Sequence, residues 1–135
     1  MGIMPVVRHM ILCDHWEFDD ANQNRVNIFG LMSYLFPTEF PPYPAVKEKL
    51  CVFLALTEVR GRGRTHIRCV FEASGQTVFR TAEREIEAGG DPLAIDLVAF
   101  HIHGCPFPEP GIYSIQFWYN DEMVHECPLR LRRPR

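Results

Sequence analysis

Two histidines two residues apart, His101 and His103 in "AFHIHGCP", have types and spacing suited to chemistry. On an extended strand alternate side chains share a face, so the two imidazoles stand about 7 Å apart along it. From there both rings can converge on one ion. Cys105, and the pair His125 and Cys127, offer further nitrogen and sulfur ligands if the C-terminal segment lies alongside. This set defines one alternative, a metal-binding protein or metal-dependent enzyme centred on His101 and His103. Against it, none of the cysteines or carboxylates has the ligand spacing of a known metal motif. The expectation is that His101 and His103 line a solvent face, and that no metal or other cofactor is used.

Nucleophilic catalysis has less to stand on. Cysteine lies near histidine in several places, as in Cys13-Asp14-His15, but no motif joins such a pair to a third group. No Gly-x-Ser-x-Gly elbow is present. The chain reads as a non-enzyme.

Binding chemistry is better represented. "RGRGR" sets Arg60, Arg62 and Arg64 between glycines, and Arg130, Arg132, Arg133 and Arg135 close the sequence. Such clusters suit a phosphate or an acidic protein surface. No aromatics interleave with them, and the formal net charge is -3, so nucleic acid is not an expected partner. Phe40 and Tyr43 sit in "PTEFPPYPAV", and Phe107 in "GCPFPEPG". Proline stiffens a loop and lowers the entropy lost on binding, so these aromatics are candidate partner anchors. The competing role for them is to fold back and plug the ends of the fold.

The elements that must position these groups are strands. The apolar fraction of 47% and charged fraction of 23% are ordinary for a globular chain. Its 135 residues are enough for one domain, residues 1–135, with a buried core. Short extended runs alternate with turn formers, which predicts an all-β antiparallel sandwich of about eight strands. In "GIYSIQFWYNDE", Tyr113, Ile115, Phe117 and Tyr119 share the core face and Trp118 the other. Asn120-Asp121 predicts a two-residue hairpin turn. Gly111-Ile112-Tyr113 at the strand start fits a tyrosine corner.

Five cysteines, Cys13, Cys51, Cys69, Cys105 and Cys127, lie mostly in apolar runs without a C-x-x-C spacing. They predict reduced, buried thiols and a cytoplasmic setting. "MGIMPVVRHMILCDHW" lacks the basic start and clean apolar run of a signal peptide. No run reaches the roughly 20 apolar residues of a membrane span. No membrane partner is expected.

The "ILCD" near the start, "VNIFGL" after a polar turn, the Phe-Pro that follows, and "PGIYSIQFWYNDE" with "PLRL" near the end carry a family likeness. Together they resemble an uncharacterised family of small bacterial immunoglobulin-like β-sandwich proteins, over nearly the whole chain. The resemblance implies an immunoglobulin-like architecture and brings no activity, cofactor or catalytic residue. The resulting expectation is a binding or assembly module acting through protein–protein contacts. Runs such as "IFGLMSYLF" and "LCVFLAL" are apolar on both strand faces, and Trp118 points away from the assigned core. A protein partner, or self-association through the face around Trp118, is therefore expected.

Overall fold

The computed structural model describes residues 4–21, 25–35, 44–88, 91 and 93–132. Phe40 and Tyr43, two of the expected contact residues, lie outside them. Eleven strands are present among the described residues: β1 Val6–Cys13, β2 His15–Phe18, β3 Val26–Phe29, β4 Tyr34–Leu35, β5 Ala45–Thr57, β6 Arg62–Phe71, β7 Gln76–Arg80, β8 Arg84–Glu87, β9 Asp96–Phe107, β10 Gly111–Tyr119 and β11 Glu122–Leu131. No helix among these residues is long and apolar enough to cross a membrane.

The chain is all-β, with mainly antiparallel sheets, as its alternation predicts. The strand count differs from the expected eight for three local reasons. "VVRHMILCDHWEF" is not one strand, because the chain bends at Asp14 and starts a new sheet at His15. "RVNIFGLMSYLF" is split at Gly30, which has φ +68° and lies where a Cβ would run into the Asp14 carboxylate. Arg84–Glu87 forms a strand of its own beside β6. The region "AVKEKL" forms the first half of the 13-residue β5.

Two sheets enclose the core. In the first, β5 runs between β1 and β9. In the second the order is β4-β11-β10-β6-β7, and β8 pairs the stretch of β6 that β7 leaves free. β4 runs parallel to β11, Tyr34 beside Arg130, so this sheet is mixed. Leu12, Leu50, Val52, Leu54, Leu56, Phe100 and Ile102 from the first sheet meet Ile67, Tyr113, Ile115, Phe117, Leu129 and Leu131 from the second. All are buried, and this apolar burial is the main force holding the sheets together.

A smaller cluster explains why β5 is apolar on both faces. Cys13, Cys51, Phe53 and Ala99 point away from the main core and are covered by Trp16, Val26 and Ile28 of the β2–β3 hairpin. The stretch of the second face around Cys51 and Phe53 is thus buried by its own chain, while His101 and His103 on the same face stay exposed. Trp16 packs on Phe53 with ring centroids 5.2 Å apart.

Gly104 decides how β9 presents its side chains. Ile102 faces the core while His101 and His103 are exposed, and Gly104 then takes φ +68°. Beyond that turn Cys105 and Phe107 point inward and are fully buried. One left-handed residue, easy for glycine and costly for others, ends the histidine-bearing face.

Candidate binding surfaces

β6 and β10 build the most organised polar surface, on the outer face of the six-stranded sheet. Alternation along β6 puts Arg62, Arg64, His66 and Arg68 in one file, opposite to the buried Thr65, Ile67 and Cys69. Trp118 of β10 stands directly across from His66, and Gln116 across from Arg68. The Arg68 guanidinium carbon lies 3.8 Å over the Trp118 ring, a close cation–π contact. The His66 ring stacks on the same indole at 5.6 Å and 17°.

Hydrogen bonds fix this group. Arg68 Nε–H donates to His66 Nε2 at 2.9 Å, so the imidazole accepts there. Trp118 Nε1–H donates to Gln116 Oε1 at 3.0 Å, Gln116 Nε2 to Ser114 Oγ at 3.4 Å, and Ser114 Oγ–H to Glu126 Oε2 at 2.9 Å. The result is a ladder of side chains along one face of β10. His66 is 2% exposed. Its pKa is lowered, first by desolvation and then by the charges of Arg80 and Arg68, with Glu83 and Asp121 opposing.

The neighbouring arginines differ in how they are neutralised. Arg62 lies 3.6 and 3.5 Å from the Glu85 and Glu87 carboxylates, and Arg64 2.9 Å from Asp121. Arg80, the register partner of Arg68 on β7, lies 3.6 Å from Glu83. Arg68 has no carboxylate partner among the described residues; its contacts are the indole and the imidazole.

The expected site residues are dispersed. Arg60 is exposed in the β5–β6 connection, but Arg62 and Arg64 belong to β6 itself, so "RGRGR" is not a free cationic loop. Phe107 as a loop anchor is corrected: β9 runs through it, it is fully buried, and it meets Tyr113 edge-on at 5.0 Å. Trp118 faces outward, yet it is partly covered by Arg68 and His66 of its own chain. His101 and His103 share a groove, whereas His125 sits on β11 in the other sheet, and Cys105 is buried in the main core. No group of three or more His, Cys, Asp or Glu among the described residues is placed to hold a metal ion. His66, Arg68, Gln116 and Arg80 were missed; for His66 and Arg68 the signal was the period-two file in "RGRTHIR", where every second residue is basic.

No curated protein sequence matches the chain. Among solved structures, Pseudomonas fluorescens alkylpurine DNA glycosylase AlkC, bound to DNA containing an abasic site analog, is similar to it in fold, with TM-score 0.55 and 12% identity. The likeness covers 98% of this chain and 31% of AlkC, so the chain spans about a third of that protein's length. The expectation of a protein partner or self-association with nucleic acid excluded is corrected by this comparison, since the fold occurs in a protein held on DNA. Its physical premises weaken as well: the β2–β3 hairpin covers one doubly apolar strand, and Trp118 has contacts within its own sheet. Residues 8–132 match one family across nearly the whole chain, and the protein belongs to the family of unknown function DUF6941.

Proposed function

We propose that this chain is a non-enzymatic nucleic-acid-binding module built on an immunoglobulin-like β-sandwich, with the outer face of β6 and β10 as its contact surface. The observation that carries the reading is Arg68, a guanidinium seated 3.8 Å over Trp118 and without a carboxylate partner among the described residues. Unstacked bases lie on aromatic rings and on arginine planes, and an arginine cation also attracts the phosphate backbone. Arg62, Arg64 and Arg80 extend the same face in both directions along and across the strands. The formal net charge of -3 gives no long-range attraction overall, so recognition rests on this local cluster. The likeness to a glycosylase bound to DNA supports this ligand class. The tyrosine-corner bonds of Tyr113 support the immunoglobulin-like part of the reading.

Fluorescence anisotropy of a labelled single-stranded oligonucleotide, titrated at low and moderate salt, tests it. Wild type should bind saturably and more weakly as salt rises. Trp118→Ala or Arg68→Ala should weaken binding about tenfold or more, because either removes the guanidinium seated on the indole that offers its plane to a base. Unchanged binding in both variants would refute the assignment of this face. Absence of binding at low salt, or dimerisation through this face without oligonucleotide binding, would refute the function.

A further inference from the structure

A second polar surface lies on the outer side of the three-stranded sheet, away from Trp118. A groove of about 260 Å³ opens there, walled by Asp14, His15, Lys49, His101 and His103. The fold builds it from three places. His101 and His103 project from alternate positions of β9 before Gly104 turns the strand inward. Lys49 is the register partner of His103 on β5. Asp14 and His15 come from the bend between β1 and β2.

The charges of this groove are unbalanced in one direction. The Asp14 carboxylate is held by Lys47 Nζ at 2.8 Å and packs against Gly30. His15 lies 3.3 Å from Glu17 and stacks on Phe29 at 5.5 Å. Beyond the strand ladder, the side chains of Lys49, His101 and His103 make no hydrogen bond or ion pair with any described residue. An ammonium and two imidazoles, all able to donate, therefore face one small space with no acceptor assigned to them. A metal cation is disfavoured by Lys49, and no three ligands among the described residues are placed to hold one together. An anion with several acceptor oxygens meets what the groove offers, and small-molecule sites begin at about this size.

We infer that the groove binds a phosphate dianion, either free orthophosphate or the terminal phosphate of a nucleotide. Lys49 supplies the fixed charge, and His101 and His103 donate to the oxygens from the β9 side. This site is independent of the Trp118 face and stands or falls without it.

The imidazole ring-proton resonances in NMR read the site directly. Inorganic phosphate should shift the signals of His101 and His103 saturably, while chloride at matched ionic strength should not. Lys49→Gln should abolish the saturable shift and leave the remaining spectrum folded, since the residue is exposed. Trp118→Ala should leave it unchanged, which separates this site from the proposed nucleic-acid surface. A 5′-nucleoside monophosphate forms the second arm. Saturation by orthophosphate assigns a free-anion site; saturation by the nucleotide alone assigns the phosphate to a nucleotide. Without saturation by either ligand, or with equal shifts in Lys49→Gln, the inference is overturned.

Discussion

The Tyr113 hydroxyl bonds twice to the backbone of Glu109: it donates to the carbonyl oxygen at 2.7 Å and accepts from the N–H at 3.1 Å. A side chain anchored in the core, with Phe107 and Phe71 against its ring, thereby ties down the connection between β9 and β10. Tyr113→Phe keeps the ring and removes both bonds, leaving two backbone groups to find new partners. The expected cost is about 1–3 kcal/mol. A urea midpoint equal to wild type would show that the corner contributes nothing to stability.

Gly63 and Tyr119 make a close approach of another kind. A Cβ at Gly63 would overlap the Tyr119 ring, which β10 packs over β6 at that point. Gly63→Ala should push the ring away and destabilise the fold by about 1–3 kcal/mol, the usual size of overpacking. Thermal unfolding measures this, and a tyrosine near-ultraviolet circular dichroism signal altered in the native variant locates the strain. A melting temperature at or above wild type would contradict it.

His66 links stability to pH. Its folded pKa is depressed, chiefly by desolvation, so the unfolded chain takes up the proton more readily. Stability is therefore fully present above the unfolded histidine value of about 6.5 and is lost as pH falls below it, until the folded pKa is passed. Protonation also removes the acceptor that receives Arg68 Nε–H, leaving the Trp118 ring as the remaining contact of Arg68. Urea midpoints between neutral and mildly acidic pH should fall, and His66→Gln should flatten that fall. A slope of equal size in the variant would assign the pH effect to other groups.

The five cysteines should react slowly in the folded protein. Burial pushes the Cys51 thiol up to about 12 and the Cys127 thiol up to about 11. Cys69 is raised by its hydrogen bond with Cys105 and by burial, and Cys13 by burial. The thiolate is the nucleophile, so each shift slows alkylation. Thiol counting should give a slow native reaction and five thiols after unfolding without reductant. Fewer than five would mean that a disulfide forms, and register places Cys13 directly opposite Cys51.

Much of the hairpin at the end of the chain was legible from sequence. Period-two alternation assigned Tyr113, Ile115, Phe117 and Tyr119 to the core, and all four are buried. Asn120 and Asp121 tolerate positive φ, and they adopt 47° and 66°. These features depend on neighbours in sequence, so the sequence alone determined them. The same holds for the all-β class, which follows from repeated short apolar runs.

Tertiary structure decided what required partners distant in sequence. "LCVFLAL" is apolar on both faces, and nothing local says what covers the second; the β2–β3 hairpin does. Phe107 looked like a loop aromatic because prolines surround it, but pairing with Ala45 keeps β9 extended through it and sends its ring into the core. "RGRTHIR" carried its period-two file in plain view, yet only the β6–β10 register sets Trp118 beside His66 and Arg68. His101, Lys49 and Asp14 meet because β1, β5 and β9 are adjacent in the sheet. Alternation fixes which face a side chain takes; strand order and register fix what it meets there.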